Sequence, residues 1–300
     1  MSDERSWFNT FPQMDRSDLR DIRKTLDSAY RDFSREYGEL IESFFDPLLN
    51  FLIWFEKLLI STPWWLVILA VTALVYVASR SWKLCLGVVV SFLLIGYFGM
   101  WENTMRTMSI IFVCTLLVIA LGIPIGILMA RSDRVQVTVT PMLDIMQTMP
   151  AFVYLIPVVM LLGIGKIPGL IAVVIYAIPP VIRLTNLGIR LVDKEVLEAA
   201  TAYGASPMQR LFGVQLPLAM PTIMAGINQT IMMALSMVVI ASMIGVKGLG
   251  QPVLKSITNQ YFTLGLFNGL AIVALAIIFD RVSQAYGKRT QRHLEGLQHG

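Results

Sequence analysis

The sequence is poor in charge and in the residue types that build most metal sites, disulfide frameworks and enzyme active sites. Only 15% of its 300 residues are charged, and it has two cysteines and two histidines. Cys85 and Cys114 lie inside apolar runs, where a thiol behaves as a small hydrophobic group, so no disulfide framework is predicted. His293 and His299 have no acidic or cysteine residues at ligand spacing, so no metal site is predicted.

Signals for export and for nucleotide binding are missing as well. The N-terminal stretch carries charges of both signs and no apolar run, so no cleavable signal peptide is expected. The segments "GIGKIPG" (163–169) and "GLGQPVLKS" (248–256) contain Gly and Lys, but neither has the spacing of a phosphate-binding loop. We therefore predict a chain that is not an enzyme and binds no cofactor, with any ATP and Mg²⁺ used by a partner subunit. The net charge of +4 gives no reason to expect nucleic acid.

Apolar residues are abundant instead. They make up 56% of the chain, and the mean hydropathy is +0.67, whereas soluble domains are about 45–50% apolar. A membrane-spanning helix needs about 17–25 mainly apolar residues. Such runs predict an all-α membrane protein, a bundle of about seven transmembrane helices. They lie at about 63–79, 83–100, 106–130, 142–163, 167–187, 218–245 and 262–280.

The charges of the connecting loops predict the orientation of these spans. Short loops rich in Lys and Arg stay in the cytoplasm. The basic connections contain Arg80 and Lys83, Arg131 and Arg134, then Arg183, Arg190, Lys194 and Arg210. With the basic C-terminal tail, all fall on one side if the C-terminus is cytoplasmic. Seven spans then place the N-terminal tail outside a bacterial inner membrane, and its 8 basic against 12 acidic residues permit that position.

The N-terminal tail has a helical pattern of its own. From Ser17, apolar residues recur every three or four positions, which predicts an amphipathic helix that ends before Pro47. The following segment, 48–60, is apolar but short, and we interpret it as lying in the membrane interface. If it spans instead, the tail moves to the cytoplasm.

These patterns divide the chain into four parts. They are an N-terminal tail with its interfacial helix (1–62), two accessory transmembrane helices (63–101), a core of five transmembrane helices (102–283) that contains a long loop (190–217), and a cytoplasmic tail (284–300).

The long loop contains the polar stretch "EAATAYGASPMQRLFGVQLP" (198–217). A helix is predicted over 194–203, with Gly204 as its left-handed C-terminal cap. A second helix is predicted to begin at once, because Ser206, Pro207 and Gln209 form a capping-box pattern, and to continue until Pro217, which introduces the next span. Since most connections are about 4–6 residues long, a capped loop of this length indicates a function.

The spacing within this stretch resembles the EAA loop of binding-protein-dependent ABC importer permeases. The matching positions are Glu198, Ala199, Ala200, Gly204, Val214, Leu216 and Pro217. Val214 stands where the family pattern has isoleucine. In that family the loop is the coupling helix that docks on a cytoplasmic ATPase, so the resemblance implies the same role for residues 198–204, including Tyr203.

Other segments narrow the resemblance. "QTMPAFVYLIPVVMLLGIG" (147–165), "YAIPPVIRLT" (176–185) and "VVIASMIGVKGLG" (238–250) are similar to permeases of glycine betaine/L-proline uptake systems. This implies the type I ABC importer permease fold, a permease homodimer, a periplasmic substrate-binding protein and a small osmolyte as cargo. Relatives that carry choline or other amines share these motifs, so these substrates stay open.

Polar and kinking residues inside the spans are candidates for the substrate pathway. Asn228 and Gln229 in the sixth span either line the pathway or bond between helices. Gln147 lies near the start of the fourth span. Pro179 and Pro180 either shape the pathway by a kink or end a helix near the cytoplasm.

Two further features have simpler interpretations. Asp144 is one turn from the predicted cytoplasmic boundary, where a carboxylate is expected to be solvated. Gly122 and Gly126 are four residues apart, which favours close helix packing over a hinge.

Two other classes of protein compete with an ABC permease. A secondary transporter or channel would be expected to carry an ionisable relay at mid-membrane depth or an inverted repeat, and neither is evident. A scaffold subunit would not need proline-kinked spans. We therefore expect transport by alternating access, driven by a separate ATPase.

Overall fold

The computed structural model describes residues 13–298, and this part of the chain is helical apart from short connections. The α-helices are α1 (Arg16–Ser61), α2 (Trp64–Ser79), α3 (Trp82–Tyr97), α4 (Trp101–Arg131), α5 (Asp133–Thr148), α6 (Ala151–Leu162), α7 (Lys166–Arg190), α8 (Lys194–Ala202), α9 (Pro207–Arg210), α10 (Leu216–Ala241), α11 (Gly250–Asn259) and α12 (Phe262–Gln298). A π-helix (Leu211–Gln215) joins α9 to α10, and a 3₁₀ turn (Ser242–Ile244) follows α10.

Four helical stretches of the described chain are long and apolar enough to cross a membrane. They are α4, α7, the continuous Pro207–Ile244 that contains α10, and α12 over Phe262–Ala285. Two bent pairs, α1 with α2 (113°) and α5 with α6 (100°), pass the same test when each pair is taken together, as a broken span or a re-entrant loop. The predicted all-α membrane fold is confirmed. The predicted count of seven stays a prediction, because the described chain has four to six such segments and the seventh predicted span is α3, an apolar helix of only 16 residues.

The N-terminal helix differs from its prediction. Asp15, rather than Ser17, is the N-cap, and its carboxylate accepts the Arg16 N–H at 2.9 Å. The helix does not end before Pro47 but continues to Ser61, so the separate interfacial helix is wrong. Proline removes one backbone hydrogen bond inside a helix. Burial beyond it offsets that loss, since Leu52 is completely buried.

Helix α1 also packs on the end of α6. The Tyr30 hydroxyl donates to the Pro157 carbonyl, and Ser34 Oγ donates to the Leu161 carbonyl at 3.2 Å. Gly38 lies at the same place, where an added Cβ would be 3.3 Å from the Leu161 oxygen. The last carbonyls of a helix have no partner within it. Ser34 therefore satisfies the Leu161 carbonyl, which the C-terminal end of α6 leaves free, while Tyr30 adds a bond one turn earlier.

The predicted fourth span, 142–163, is not one helix. Helix α5 ends at Thr148 and α6 begins at Ala151, and the two are bent by 100°. Proline disfavours helical backbone at the residue before it, and Met149, which precedes Pro150, is extended at φ −69° and ψ 134°. The resulting helix α5 is amphipathic and largely exposed, with Leu143 as its one buried residue.

Helix α7 lies at the centre of the fold, between α4 and α10. Close approach to α4 requires glycine, because a Cβ on Gly126 would lie 2.6 Å from Thr185 Cβ and 2.8 Å from the Ile182 carbonyl oxygen. A Cβ on Gly122 would overlap Val181. The interpretation of this glycine pair as a packing site is thus confirmed.

The prolines of α7 do not end the helix. Pro179 and Pro180 are buried, and α7 continues for ten residues beyond them to Arg190, so the helix-ending interpretation is wrong. Helix α10 contributes a bond in the same turn, since Thr230 Oγ1 donates to the Ala177 carbonyl at 2.9 Å. Tertiary packing thus stabilises a helix that carries two prolines.

At the C-terminal end, α12 runs without a break from Phe262 to Gln298. The predicted boundary at 284 therefore falls inside a helix and does not begin a separate tail. His299 lies outside the described residues, as do residues 1–12.

Candidate functional site

The first half of the long loop is a short helix with both ends capped. Asp193 accepts the Glu195 N–H at 2.9 Å and begins α8. After α8, Gly204 has φ +81°, a left-handed conformation that favours glycine. The Ala205 N–H then bonds back to the Ala200 carbonyl at 3.0 Å. The predicted glycine cap is confirmed, with the last helical residue at Ala202 rather than Tyr203.

The second half begins with the predicted capping box. Ser206 N–H donates to Gln209 Oε1 at 2.8 Å, and Gln209 N–H donates to Ser206 Oγ at 3.3 Å, with Pro207 in the first turn. Arg210 then reaches back across the turn, and its Nη1 donates to Thr201 Oγ1 at 3.0 Å. The two helices are thereby held in a fixed arrangement.

The connection to the next span differs from the prediction. Residues 207–217 were expected to form a helix that stops at Pro217, but α9 passes through the π-helix Leu211–Gln215 directly into α10. The Leu216 N–H bonds to the Leu211 carbonyl, five residues back. A widened turn of this kind accommodates the proline that follows, because Pro217 has no N–H to donate. The loop is therefore mechanically continuous with α10.

Most of the predicted docking residues are on the surface. No residue of α8 or α9 is buried. Glu198, Ala199 and Gly204 are exposed, Ala200 is half-buried, and 94% of Tyr203 is accessible. A groove of about 430 Å³ runs beside Glu198, between α8 and Arg210. We call this loop the coupling loop (residues 193–215), and within the described part of the chain its two short helices, α8 and α9, form an accessible surface.

The base of the coupling loop is packed against the bundle. Leu211, Ala219 and Ile223 form a buried cluster with Ile189, and Leu216 packs against it. Leu216 and Pro217, the last two predicted docking residues, are half-buried. They therefore belong to the base of the loop rather than to its exposed surface.

Sequence reasoning missed a charged network at this base. Arg190 Nη2 donates to Asp133 Oδ1 at 2.7 Å and to the Met129 carbonyl at 2.8 Å, and its Nε donates to Asn186 Oδ1 at 3.0 Å. One guanidinium therefore joins the ends of α4 and α7 to the start of α5. From the sequence, Arg190 counts only as one of the basic residues that predict which loops are cytoplasmic.

A second ion pair also joins α5 to α7. Arg183 on α7 bonds to Asp144 on α5, so Asp144 is paired as well as 57% exposed, which corrects the expectation of simple solvation. The spacing contained a signal for both pairs. Asp133 and Asp144 are eleven residues apart, and Arg183 and Arg190 are seven apart, and both intervals return to the same face of an α-helix.

The predicted pathway residues fall at separate places. Asn228 Nδ2 donates to Asp280 Oδ1 at 2.8 Å, and Ser283 Oγ donates to Asn228 Oδ1 at 2.5 Å. Asn228 therefore bonds between α10 and α12. Asn228 also lines a groove of about 380 Å³, together with the exposed Gln229. Gln147 is exposed near the end of α5 and does not line this groove, and Pro179 and Pro180 are buried in α7.

Similarity to known proteins covers the same elements. The family described as "Binding-protein-dependent transport system inner membrane component" matches residues 122–292. The glycine betaine/proline betaine transport system permease protein ProW of Escherichia coli is 50% identical over 239 residues, which is 78% of this chain and 66% of the relative. The chain thus spans just under two thirds of that relative's length. The glycine betaine/carnitine transport permease protein GbuB of Listeria monocytogenes is 48% identical over 231 residues, covering 76% of this chain and 82% of the relative.

A solved structure supports the fold. The inward-facing MetNI methionine ABC transporter aligns with a TM-score of 0.57 at 20% identity, over 62% of this chain and 93% of that chain. Permeases of this family are non-catalytic membrane components that work with an ATPase and a substrate-binding protein. Because the family match covers more than half of the sequence and includes α7, the coupling loop and α10, the chain belongs to the binding-protein-dependent transport system inner membrane components, the permease subunits of ABC importers.

Proposed function

We propose that this permease imports glycine betaine, proline betaine or a related quaternary amine, and that residues 198–204 of its coupling loop dock on the ATPase subunit. The observation that carries the proposal is the largely exposed coupling loop, with its two capped helices and the E-A-A and glycine spacing. Small side chains at Ala199 and Gly204 let a partner approach closely, and Glu198 with Tyr203 gives the contact register. The names of the relatives support the substrate class.

The mechanism we propose is alternating access. A loaded binding protein delivers the solute to the outer face of a permease dimer, and closure of two ATPase subunits displaces the coupling loop of each copy. A ligand or partner can shift a conformational equilibrium only by binding its states with different affinity. The ATPase would bind the coupling loop differently in its open and closed states, and it would bind and hydrolyse the ATP with Mg²⁺.

Reconstitution tests the transport function. The permease, its ATPase and its binding protein are placed in liposomes that contain ATP, and uptake of radiolabelled glycine betaine is measured against unlabelled proline betaine, choline and proline. We expect ATP-dependent uptake that proline betaine inhibits more strongly than choline. Stronger inhibition by choline would assign the choline class, and uptake without ATP or the ATPase would contradict an ABC importer.

A second experiment tests the orientation. We propose that the N-terminal tail is outside and the C-terminus cytoplasmic, because the basic connections then share the inner side. Reporters that are active only in the periplasm, fused at residue 10 and at the C-terminus, should be active at the first position alone. Activity at the second position alone would reverse the orientation.

A further inference from the structure

Helix α5 is held to the rest of the protein by few apolar contacts. Leu143 is its one buried residue, and three further apolar residues are only partly buried against the core, whereas Val137 and Met142 are 73% and 63% exposed. It is also bent by 100° from α6 at the break around Pro150. A helix with so little buried surface is not fixed by core packing alone. Its polar contacts to neighbouring helices therefore decide which of them it moves with.

Those contacts converge on α7. Asp133 at the start of α5 pairs with Arg190, and Asp144, three helical turns later, pairs with Arg183. The two carboxylates are about 16 Å apart along α5 at 1.5 Å per residue, and the two arginines about 10 Å apart along α7. The ion pairs thus tie the two helices at two separate levels. Two ties resist rotation of one helix against the other, which a single tie would allow.

Arg190 has a larger role than its partner arginine. Its guanidinium also donates to the Met129 carbonyl, which lies in the last turn of α4 where carbonyls lack helical partners. Asn186, a buried residue of α7, accepts a third bond and holds the guanidinium in place. This planar fork of donors is specific to arginine, and a lysine could not make all of these bonds. Only three residues separate Arg190 from the start of α8.

We propose that Arg190 is a positioning residue for transport, which with Arg183 fastens α5 to α7 so that a displacement of the coupling loop reaches the broken span α5–α6. The proposal rests on the docking role of the coupling loop. Ion pairs as exposed as these contribute little to stability, because solvent screens them. Their contribution here is directional, since they determine that α5 follows α7.

The test uses the complete transporter in liposomes, with uptake and ATP hydrolysis measured in the same vesicles. Arg190→Gln should lower the number of solute molecules taken up per ATP by about 2- to 30-fold, the range found for residues that couple distant sites. Binding of the ATPase to the permease should be unchanged in a pull-down. Arg190→Lys should give an intermediate ratio. Arg134→Gln is the matched control, because Arg134 is exposed on α5 beside Asp133 and has no ion pair within the described chain.

A charge exchange separates this role from a structural one. Arg190→Asp and Asp133→Arg should each lower the uptake per ATP, and the double variant should recover part of the loss. No recovery, or uptake and hydrolysis that fall in proportion in every variant, would overturn the proposal. Loss of ATPase binding in Arg190→Gln would overturn it too, since Arg190 would then shape the docking surface itself. Normal uptake in Gly204→Asp would instead contradict the proposed function of the coupling loop, so the two failures are distinguishable.

Discussion

Helix α7 and the coupling loop follow one another in the chain, yet α7 is mostly buried among other helices and the loop is mostly exposed. In its most apolar 18-residue stretch, 67% of α7 is buried, whereas α8 and α9 have no buried residue. Residues of α7 are therefore constrained by the shapes of α4 and α10. Residues of α8 and α9 in the coupling loop are constrained by helix capping and, under the proposed function, by the docking of the ATPase. Substitutions in the two regions should accordingly affect different measurements, stability for α7 and transport for the loop.

The largest effect is expected for Gly204→Asp in the coupling loop. A Cβ at Gly204 would meet nothing within 4 Å, so the new side chain extends away from the permease and into the proposed contact with the ATPase. Uptake should fall by about tenfold or more, as for loss of an interface hot spot, while the melting temperature of the purified permease stays close to that of the wild type. Gly204→Ala should have a smaller effect, because it adds only the strain of a left-handed conformation. Wild-type uptake by both variants would show that the ATPase does not contact this position.

Gly126→Ala tests the packed side of the comparison. The added methyl would collide with the Ile182 backbone oxygen and with Thr185, and overpacking of this kind typically costs about 1–3 kcal/mol. We expect a lower melting temperature in detergent. Gly269→Ala in α12 is the matched control, since nothing lies within 4 Å of its Cβ position. Equal melting temperatures for the two variants would mean that α4 can move away from α7 at little cost.

Glu56→Gln tests whether α1 belongs to the packed region. Glu56 is 8% exposed, and it bonds to Lys166 at 2.6 Å, with Arg106 at 3.9 Å. The two cations are partly solvated, so the loss should lie between surface and buried ion pairs, about 1–3 kcal/mol of stability. Glu102→Gln is the control, because the Glu102 side chain is 59% exposed in its pair with Arg106. If Glu56→Gln leaves the thermal unfolding curve unchanged, α1 does not unfold cooperatively with the packed helices.

The smallest effect is expected for Ser206→Ala. Loss of a helix N-cap costs about 0.5–2 kcal/mol, but here it affects only the exposed helix that begins at Pro207. The melting temperature of the bundle should not change, whereas hydrogen exchange of the Gln209 amide should become faster. Exchange at the wild-type rate would show that the contact between Arg210 and Thr201 alone holds the turn.

The sequence was most informative where structure depends on neighbouring residues. The left-handed Gly204 and the capping box of Ser206 and Gln209 were predicted correctly, because these motifs need only residues within one turn. The glycine packing of α4 was also predicted, since residues four apart share a helix face. Prediction failed at Pro47, where burial of Leu52 outweighs the intrinsic preference of proline.

The prediction of a continuous fourth span was wrong, and the charged network was missed, for a different reason. Pro150 lies in the sequence as a visible helix breaker, but only the structure shows that α5 turns by 100° from α6. Arg190 and Asp133 are 57 positions apart. The intervals of seven and eleven residues place the two arginines on one face of α7 and the two aspartates on one face of α5, but nothing in the sequence indicates that these two faces meet. Asn228 was open to two interpretations, and its bonds to Asp280 and Ser283 place it between two helices.

Three features could be predicted without the fold: a helical membrane protein, the position and capping of the coupling loop, and the residue spacing by which the family is recognised. Hydropathy, capping and motif spacing are properties of adjacent residues, so they do not require the fold to be known. Three features depend on the fold instead: α1 continues through Pro47, α5 is bent by 100° from α6 and paired with Arg183 and Arg190, and α10 follows the loop without a break. These features depend on which distant surfaces meet, and the free energy of those contacts can exceed the local preferences that a sequence displays.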